Sequence, residues 1–264
     1  MPRAKRRLGQ HFLADPRILA RIADALEAGP ADRVLEIGPG PGGLTGALLA
    51  RAGQVIAIEK DRDLIPSLRE RFPQVRLVEG DALDLDWHRL VEAPFLVVGN
   101  IPYNITSPLL DKALLPPRPA RIVFLVQKEV ADRVTAEAGA PEYGALSIGI
   151  QVAARAERLF TVPSGAFHPR PKVDSAVLRL TPLSNPPITD EERDSFRALV
   201  VGLFGFRRKQ MLRALRELTG WDAATASAVL AKVAIAETAR PEVVGPLDFV
   251  RLHRALVDGG WSAR

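Results

Sequence analysis

The sequence predicts an α/β fold in which a doubly wound, mostly parallel sheet is followed by a smaller all-helical domain. Three observations carry this. Apolar runs of strand length alternate with segments of helical spacing, a glycine-rich turn joins the first strong run to its helix, and the texture changes after a proline-rich stretch near residue 185.

Residues 16 to 28 have the spacing of a short helix, and "RVLEIG" (33 to 38) is a continuous apolar run, as a strand buried on both faces requires. "GGLTGALLARAG" is again helical and ends on Gly53; "QVIAIE" (54 to 59) closes a βαβ unit. A helix near 62 to 72, strands at "VRLVEG" (75 to 80) and "FLVVGN" (95 to 100), a helix near 107 to 115 and the strand "RIVFLVQ" (121 to 127) continue the alternation. "LSIGIQVAA" (146 to 154) and "SAVLRL" (175 to 180) read as two more strands without a long helix between them, so an antiparallel hairpin is expected at one edge. Beyond "TPLSNPPITDEE" (181 to 192), amphipathic patterns at 191 to 204, 208 to 219, 222 to 232 and 246 to 258 predict four helices. Thr189 and Glu192 have capping-box spacing at the first of these. The boundary is therefore placed between a domain of residues 1 to 184 and a helical domain of residues 185 to 264.

Composition narrows the function. At 264 residues and 47% hydrophobic, the chain can bury one sizeable core and a small second one. No run reaches the ~18 residues a membrane span needs, and "MPRAKRRLGQHFL" lacks the apolar region of a signal peptide, so a cytoplasmic address without membrane contact is expected. The absence of cysteine excludes disulfides and thiolate catalysis; His11, His88, His168 and His253 are too scattered for a metal site, and none is expected. A formal charge of +5 suits a polyanionic partner. Basic residues cluster at "RAKRR" (3 to 7) and "FRRKQMLRALR" (206 to 216), with smaller groups at Arg155, Arg158, His168, Arg170 and Lys172, although any single cluster reads equally as a solvated face.

"EIGPGPGGLT" (36 to 45) sets Gly38, Gly40, Gly42 and Gly43 at the carboxyl end of the first strand of the βαβ unit, where doubly wound sheets bind ligands. The literal G-x-G-x-x-G match of Gly38, Gly40 and Gly43 is weak by itself. Glu59, 21 positions after Gly38, ends the second strand where a carboxylate can hold both ribose hydroxyls of an adenosine-containing cofactor, which leaves NAD and S-adenosylmethionine open. Asp81, just past the third strand, can accept a bond from an adenine amine or serve only as a helix cap. With Glu36 these acids form a rim ill suited to a pyrophosphate but compatible with a cationic sulfonium.

"VVGNIPYNITSPLL" (97 to 110) ends the fourth strand on Asn100, Ile101, Pro102 and Tyr103, facing the same crevice. An adenine amine is a poor nucleophile because its lone pair is delocalised. The Asn100 side-chain carbonyl and the backbone carbonyl of Ile101 or Pro102 can hold its hydrogens and stabilise positive charge developing on nitrogen. Pro102 fixes the local φ, and Tyr103 offers a ring on which an extruded base can stack.

Together, "LGQHFL" (8 to 13), "EIGPGPGGLT", "NIPYNITSPLL", "LVQKEVADRV" (125 to 134), "FHPRPKVDSAVLRL" (167 to 180) and "FGFRRKQML" (204 to 212) closely resemble the ribosomal RNA small-subunit adenine dimethyltransferase A family, in order and almost end to end. The resemblance implies a Rossmann-like class I methyltransferase domain. It also implies S-adenosylmethionine as cofactor and dimethylation of two adjacent adenosines near the 3′ end of 16S rRNA, in the small subunit or its precursor. By the same resemblance His11 and Leu13 line the cofactor pocket, Gly38 and Gly40 lie against the cofactor, Glu59 holds the ribose and Asp81 reads the adenine. Asn100 touches both cofactor and target base, while Pro102 and Tyr103 shape the target pocket. His11 departs from the Asn that family members commonly carry there. Arg207, Arg208, Lys209, Arg213 and Arg216 are expected to meet RNA phosphates, and the protein is expected to be a monomer. Two other readings compete: a resistance methyltransferase acting on large-subunit RNA, and a ribosome-assembly factor whose chemistry is secondary. A dehydrogenase leaves Asn-x-Pro-Tyr unexplained.

Overall fold

The computed structural model describes residues 4–5 and 8–263. Its contacts divide the chain into two compact units, residues 1–131 with 155–182 and residues 132–154 with 183–264. The sequence places one boundary after 184; the structure assigns 132–154 to the second unit as well.

In the first unit, β1 (Phe12–Leu13) precedes α1 (Pro16–Ala25), which starts where the Asp15 side chain accepts the N–H groups of Arg17 and Ile18. Then come β2 (Arg33–Ile37), α2 (Gly43–Leu49), β3 (Gln54–Glu59), α3 (Ile65–Arg71), β4 (Arg76–Glu79), β5 (Leu96–Asn100), α4 (Thr106–Ala113) and β6 (Arg121–Gln127). α5 (Lys128–Thr135) leads into the second unit and its helix α6 (Ala145–Gln151). The chain returns through β7 (Ala154–Val162), β8 (Phe167–His168) and β9 (Ser175–Pro182).

The main sheet has the order β4-β3-β2-β5-β6-β9-β7. β4, β3, β2, β5 and β6 are parallel, and β9 joins β6 antiparallel, with Gln127 opposite Ser175. Val34, Leu35, Val97, Val98, Val123 and Phe124 have no more than 1% exposure, as continuous apolar strands covered on both faces should. From β2 the chain winds outward to β3 and β4, then crosses back to β5 on the other side of β2. The switch point therefore lies between β2 and β5, and the register there sets Ile37 beside Gly99. Both polar motifs leave the sheet at that point.

One predicted strand is corrected. "LSIGIQVAA" contains the helix α6. An apolar run of this length does not distinguish a strand from a helix buried on most sides. Here the Gly144 N–H donates to Ser147 Oγ at 3.0 Å, while Ile148 and Val152 enter the core of the second unit. The strand neighbouring β9 is instead β7, "ARAERLFTV", whose charged residues conceal it as an edge strand.

The second unit continues with α7 (Arg193–Gly205), α8 (Met211–Thr219), α9 (Ala223–Lys232) and α10 (Pro246–Asp258), close to the four predicted helices. Both capping-box bonds form: Thr189 N–H to Glu192 Oε2 at 2.9 Å and Glu192 N–H to Thr189 Oγ1 at 3.3 Å. Tyr143 is fully buried in this core and donates its hydroxyl to the Val244 carbonyl at 2.8 Å. Among the described residues no helix is long and apolar enough to cross a membrane, and no group of acids and histidines could hold a metal ion.

Candidate active site

A cleft with a cavity volume of about 160 Å³ opens at the carboxyl ends of β2, β3 and β5. His11, Leu13, Gly38, Gly40, Glu59, Asp81, Asn100, Pro102 and Tyr103 all line it, so the first unit gathers every predicted cofactor and catalytic position in one place.

The glycine turn supplies the floor. Gly38, Gly40 and Gly42 have φ of +68°, +57° and +85°, values that side chains strain to adopt. At Gly38 the nearest atom to an added Cβ is the Asn100 carbonyl oxygen at 4.0 Å, so the missing side chain leaves open cleft. Glu59 locks this turn to the next strand: its carboxylate accepts the Gly40 N–H at 3.0 Å and the Asp61 N–H at 2.7 Å. Burial pushes the Glu59 carboxyl up despite those bonds. Glu36, 1% exposed, is pushed further, to about 8, by burial against a bond from Thr45 Oγ1 at 2.7 Å.

Asp81 fulfils the cap reading while still facing the cleft. Its Oδ1 accepts the Leu83 N–H at 2.9 Å, and its Oδ2 pairs with Lys60. Burial opposes its charge, but these bonds outweigh it and hold the carboxyl below the usual range. The turn that follows is clamped from α4, because Lys112 Nζ donates to the Leu83 and Leu85 carbonyls, each at 2.6 Å.

Across the switch point, Asn100 Nδ2 donates to the His11 carbonyl at 2.8 Å, which orients the amide. The Pro102 carbonyl accepts the Ile105 N–H at 3.1 Å; among the described residues the Ile101 carbonyl carries no such bond. Tyr103 shares a 2.8 Å hydrogen bond with Ser175 Oγ and stacks on the His11 ring, with centroids 5.6 Å apart. His11 Nδ1 in turn lies 2.7 Å from the Pro169 carbonyl and so carries the proton of that bond.

Several contributors escape sequence reasoning. Lys5 pairs with Asp61 and Asp63, and Gln10 Nε2 donates to Asp61 Oδ2 at 2.9 Å, pinning the segment before β1 beside the cleft. Gln10 lies within "LGQHFL" and Ser175 within "FHPRPKVDSAVLRL", but neither these stretches nor the surroundings of Lys112 reveal the partners, which only tertiary placement supplies.

In the second unit the predicted phosphate-binding residues divide. Arg207 is committed internally, donating to Glu242 Oε2 at 2.7 Å and to the Pro141 carbonyl at 2.9 Å. Arg213 lies 3.8 Å from Glu217. Arg208, Lys209 and Arg216 are exposed without an ion pair among the described residues. Of the basic cluster at 3 to 7, Arg3, Arg6 and Arg7 lie outside the described residues.

A doubly wound sheet with glycines and acids on one side of its switch point and Asn-Ile-Pro-Tyr on the other has the layout of a Rossmann-like methyltransferase. Solved structures agree. A dimethyladenosine transferase from Plasmodium falciparum superposes with a TM-score of 0.85 at 27% identity, over 96% of this chain and all of that one. The 23S rRNA methyltransferase ErmE gives 0.72 at 31% identity, over 93% and 99%. Among curated proteins, the "Ribosomal RNA small subunit methyltransferase A" of Geobacter sulfurreducens is 41% identical over 98% of both chains, and that of Synechococcus sp. (strain JA-3-3Ab) is 43% identical over 98% of this chain and 95% of the other. Residues 1–246 match the family described as "Ribosomal RNA adenine dimethylase". The chain belongs to that family of S-adenosylmethionine-dependent enzymes.

The cleft fits that cofactor. The Glu59 and Asp81 carboxyl groups face a space floored by bare glycine backbone and walled by Phe12, Ile37, Ile58 and Ala82, which suits a cationic ligand carrying a flat ring.

Proposed function

We propose that this chain dimethylates the exocyclic amine of two adjacent adenosines near the 3′ end of 16S rRNA, in the small ribosomal subunit or its precursor. The observation that carries the reading is Asn100 in a fixed orientation at the switch point, opposite the glycine turn. End-to-end similarity to small-subunit enzymes supports the choice of substrate.

S-adenosylmethionine supplies an electrophilic methyl group on a sulfonium. Gly38 and Gly40 admit the cofactor against bare backbone, while Leu13 and His11 close the pocket from the β1 side. Glu59 holds the ribose with the lone pairs its two backbone donors leave free, and Asp81 accepts from the adenine amine. Because Asn100 gives its N–H to His11, its Oδ1 is left to accept from the target amine, and the Ile101 carbonyl is the second acceptor. These two oxygens turn the nitrogen lone pair toward the donor and stabilise the charge that develops there. Pro102 holds that backbone with φ of −56°. Tyr103, held by Ser175 and backed by His11, is the stacking platform for the extruded base. No side chain has to act as general base. On the second unit, exposed Arg208, Lys209, Arg213 and Arg216 meet RNA phosphates.

The test is transfer of labelled methyl to unmethylated small subunits, with large-subunit RNA in parallel and digestion to nucleosides. Dimethyladenosine from small subunits alone is the expected result. Label confined to large-subunit RNA would move the protein to the activity named for ErmE, and binding without label would make an assembly role primary.

A further inference from the structure

The loop 168–174, "HPRPKVD", lies between two contacts with the active-site rings. At its start the Pro169 carbonyl takes the His11 Nδ1 proton at 2.7 Å; just past its end Ser175 Oγ meets the Tyr103 hydroxyl at 2.8 Å. Further bonds stiffen it. Ser164 N–H donates to Asp174 Oδ1 at 2.8 Å, and Lys128 N–H donates to the Asp174 carbonyl at 3.0 Å. Pro169 and Pro171 each fix φ, and Pro171 is buried.

What this rigid loop shows to solvent is cationic. His168, Arg170 and Lys172 are exposed, and Val173 is 40% exposed. Arg170 Nε donates to Ser164 Oγ at 3.0 Å, which aims the guanidinium and leaves both Nη groups outside that bond. Neither Arg170 nor Lys172 has an ion pair among the described residues, and the only carboxylate of the loop, Asp174, is engaged by Ser164. A structural role explains the prolines and Asp174. It does not explain two unpaired cations two residues apart, at most about 7 Å along the chain, on a loop whose shape is fixed by the target-facing rings.

We propose that this loop is an RNA-phosphate grip, in which Arg170 and Lys172 hold the backbone of the substrate strand next to the adenosine that enters the cleft. The inference rests on the proposed RNA substrate. A preoriented guanidinium presents a planar fork matched to phosphate oxygens, and Lys172 adds a point charge. Such contacts position the strand without reading its bases. Held by the same loop that backs His11 and Tyr103, the strand enters the cleft in a fixed register with the stacking platform.

The experiment compares full-length wild type, the pair Arg170→Ala with Lys172→Ala, and the charge-retaining pair Arg170→Lys with Lys172→Arg. Each is measured for affinity to unmethylated small subunits across a salt series, for single-turnover methyl transfer, for S-adenosylmethionine affinity by calorimetry, and for thermal unfolding. The alanine pair should bind subunits about ten-fold more weakly, with a salt slope shallower by about 1 to 2. The charge-retaining pair should recover most of that loss, and cofactor affinity and unfolding should not move. An unchanged slope overturns the grip. So does a loss of turnover matched by lost cofactor affinity, since the loop would then only prop His11. If wild type neither binds nor methylates small subunits, the substrate reading itself fails and the grip falls with it.

Discussion

With one Nδ2 hydrogen given to the His11 carbonyl, the Asn100 amide is oriented and its Oδ1 is free to accept from a bound base, so one backbone bond from the β1 segment sets the orientation of the site. That link was not legible. The sequence pointed to Asn100 as an acceptor, but nothing local ties position 11 to position 100. Glu36 offers a sharper test of environment at one residue. Burial pushes its carboxyl from the ordinary value of 4.5 up to about 8, so the folded state binds the extra proton between those values. This contribution to stability is complete below about pH 4.5 and is lost as pH rises through about 8, at about 1.4 kcal/mol per pH unit across the window. Glu36→Gln keeps an acceptor for Thr45 and removes the titration. Thermal unfolding of the cofactor-free protein should therefore show the variant nearly equal to wild type at pH 5 and clearly more stable at pH 9; parallel pH profiles would contradict the burial argument.

Elements differ in how openly their sequences declare them. β2, β3, β5 and β6 are strand-length apolar runs next to turn residues, and β6 matches its expected bounds residue for residue. α6 reads as a strand because its less buried positions carry small or apolar residues, Gly149 among them, and β7 escapes the pattern because an edge strand need not be apolar. The clamp between α4 and the turn after β4 belongs to this scale, since Lys112 holds two carbonyls of the turn that Asp81 begins. Lys112→Met leaves those carbonyls without their charged donor and loosens Asp81 without touching the cleft. Calorimetry should show cofactor affinity weakened about three- to ten-fold, with the rate at saturating cofactor within about two-fold of wild type. A fall in that rate with affinity intact would place Lys112 in a different role.

At the scale of the molecule, sequence composition pointed to a polyanionic partner but did not separate structural cations from available ones. The five basic residues of "FRRKQMLRALR" look equivalent in one dimension. In the fold, Arg207 holds Glu242 and the Pro141 carbonyl, whereas Arg208 and Lys209 remain exposed. Arg207→Ala should accordingly lower the unfolding midpoint by a few degrees. Arg208→Ala with Lys209→Ala should leave the midpoint alone and make the salt dependence of subunit binding shallower by about 1 to 2. Identical behaviour of the two variants in both assays would refute this division. The chain's tertiary logic centres on one switch point, where strands predicted from local patterning bring the glycine turn and Asn-Ile-Pro-Tyr together. The measurement that tests this most directly is the yield of dimethyladenosine from unmethylated small subunits with wild type and Asn100→Ala, alongside calorimetric cofactor affinity. Wild type should yield dimethyladenosine, and the variant, folded and still binding S-adenosylmethionine, should lose transfer by at least about 100-fold. Normal turnover by Asn100→Ala would contradict the role assigned to Asn100.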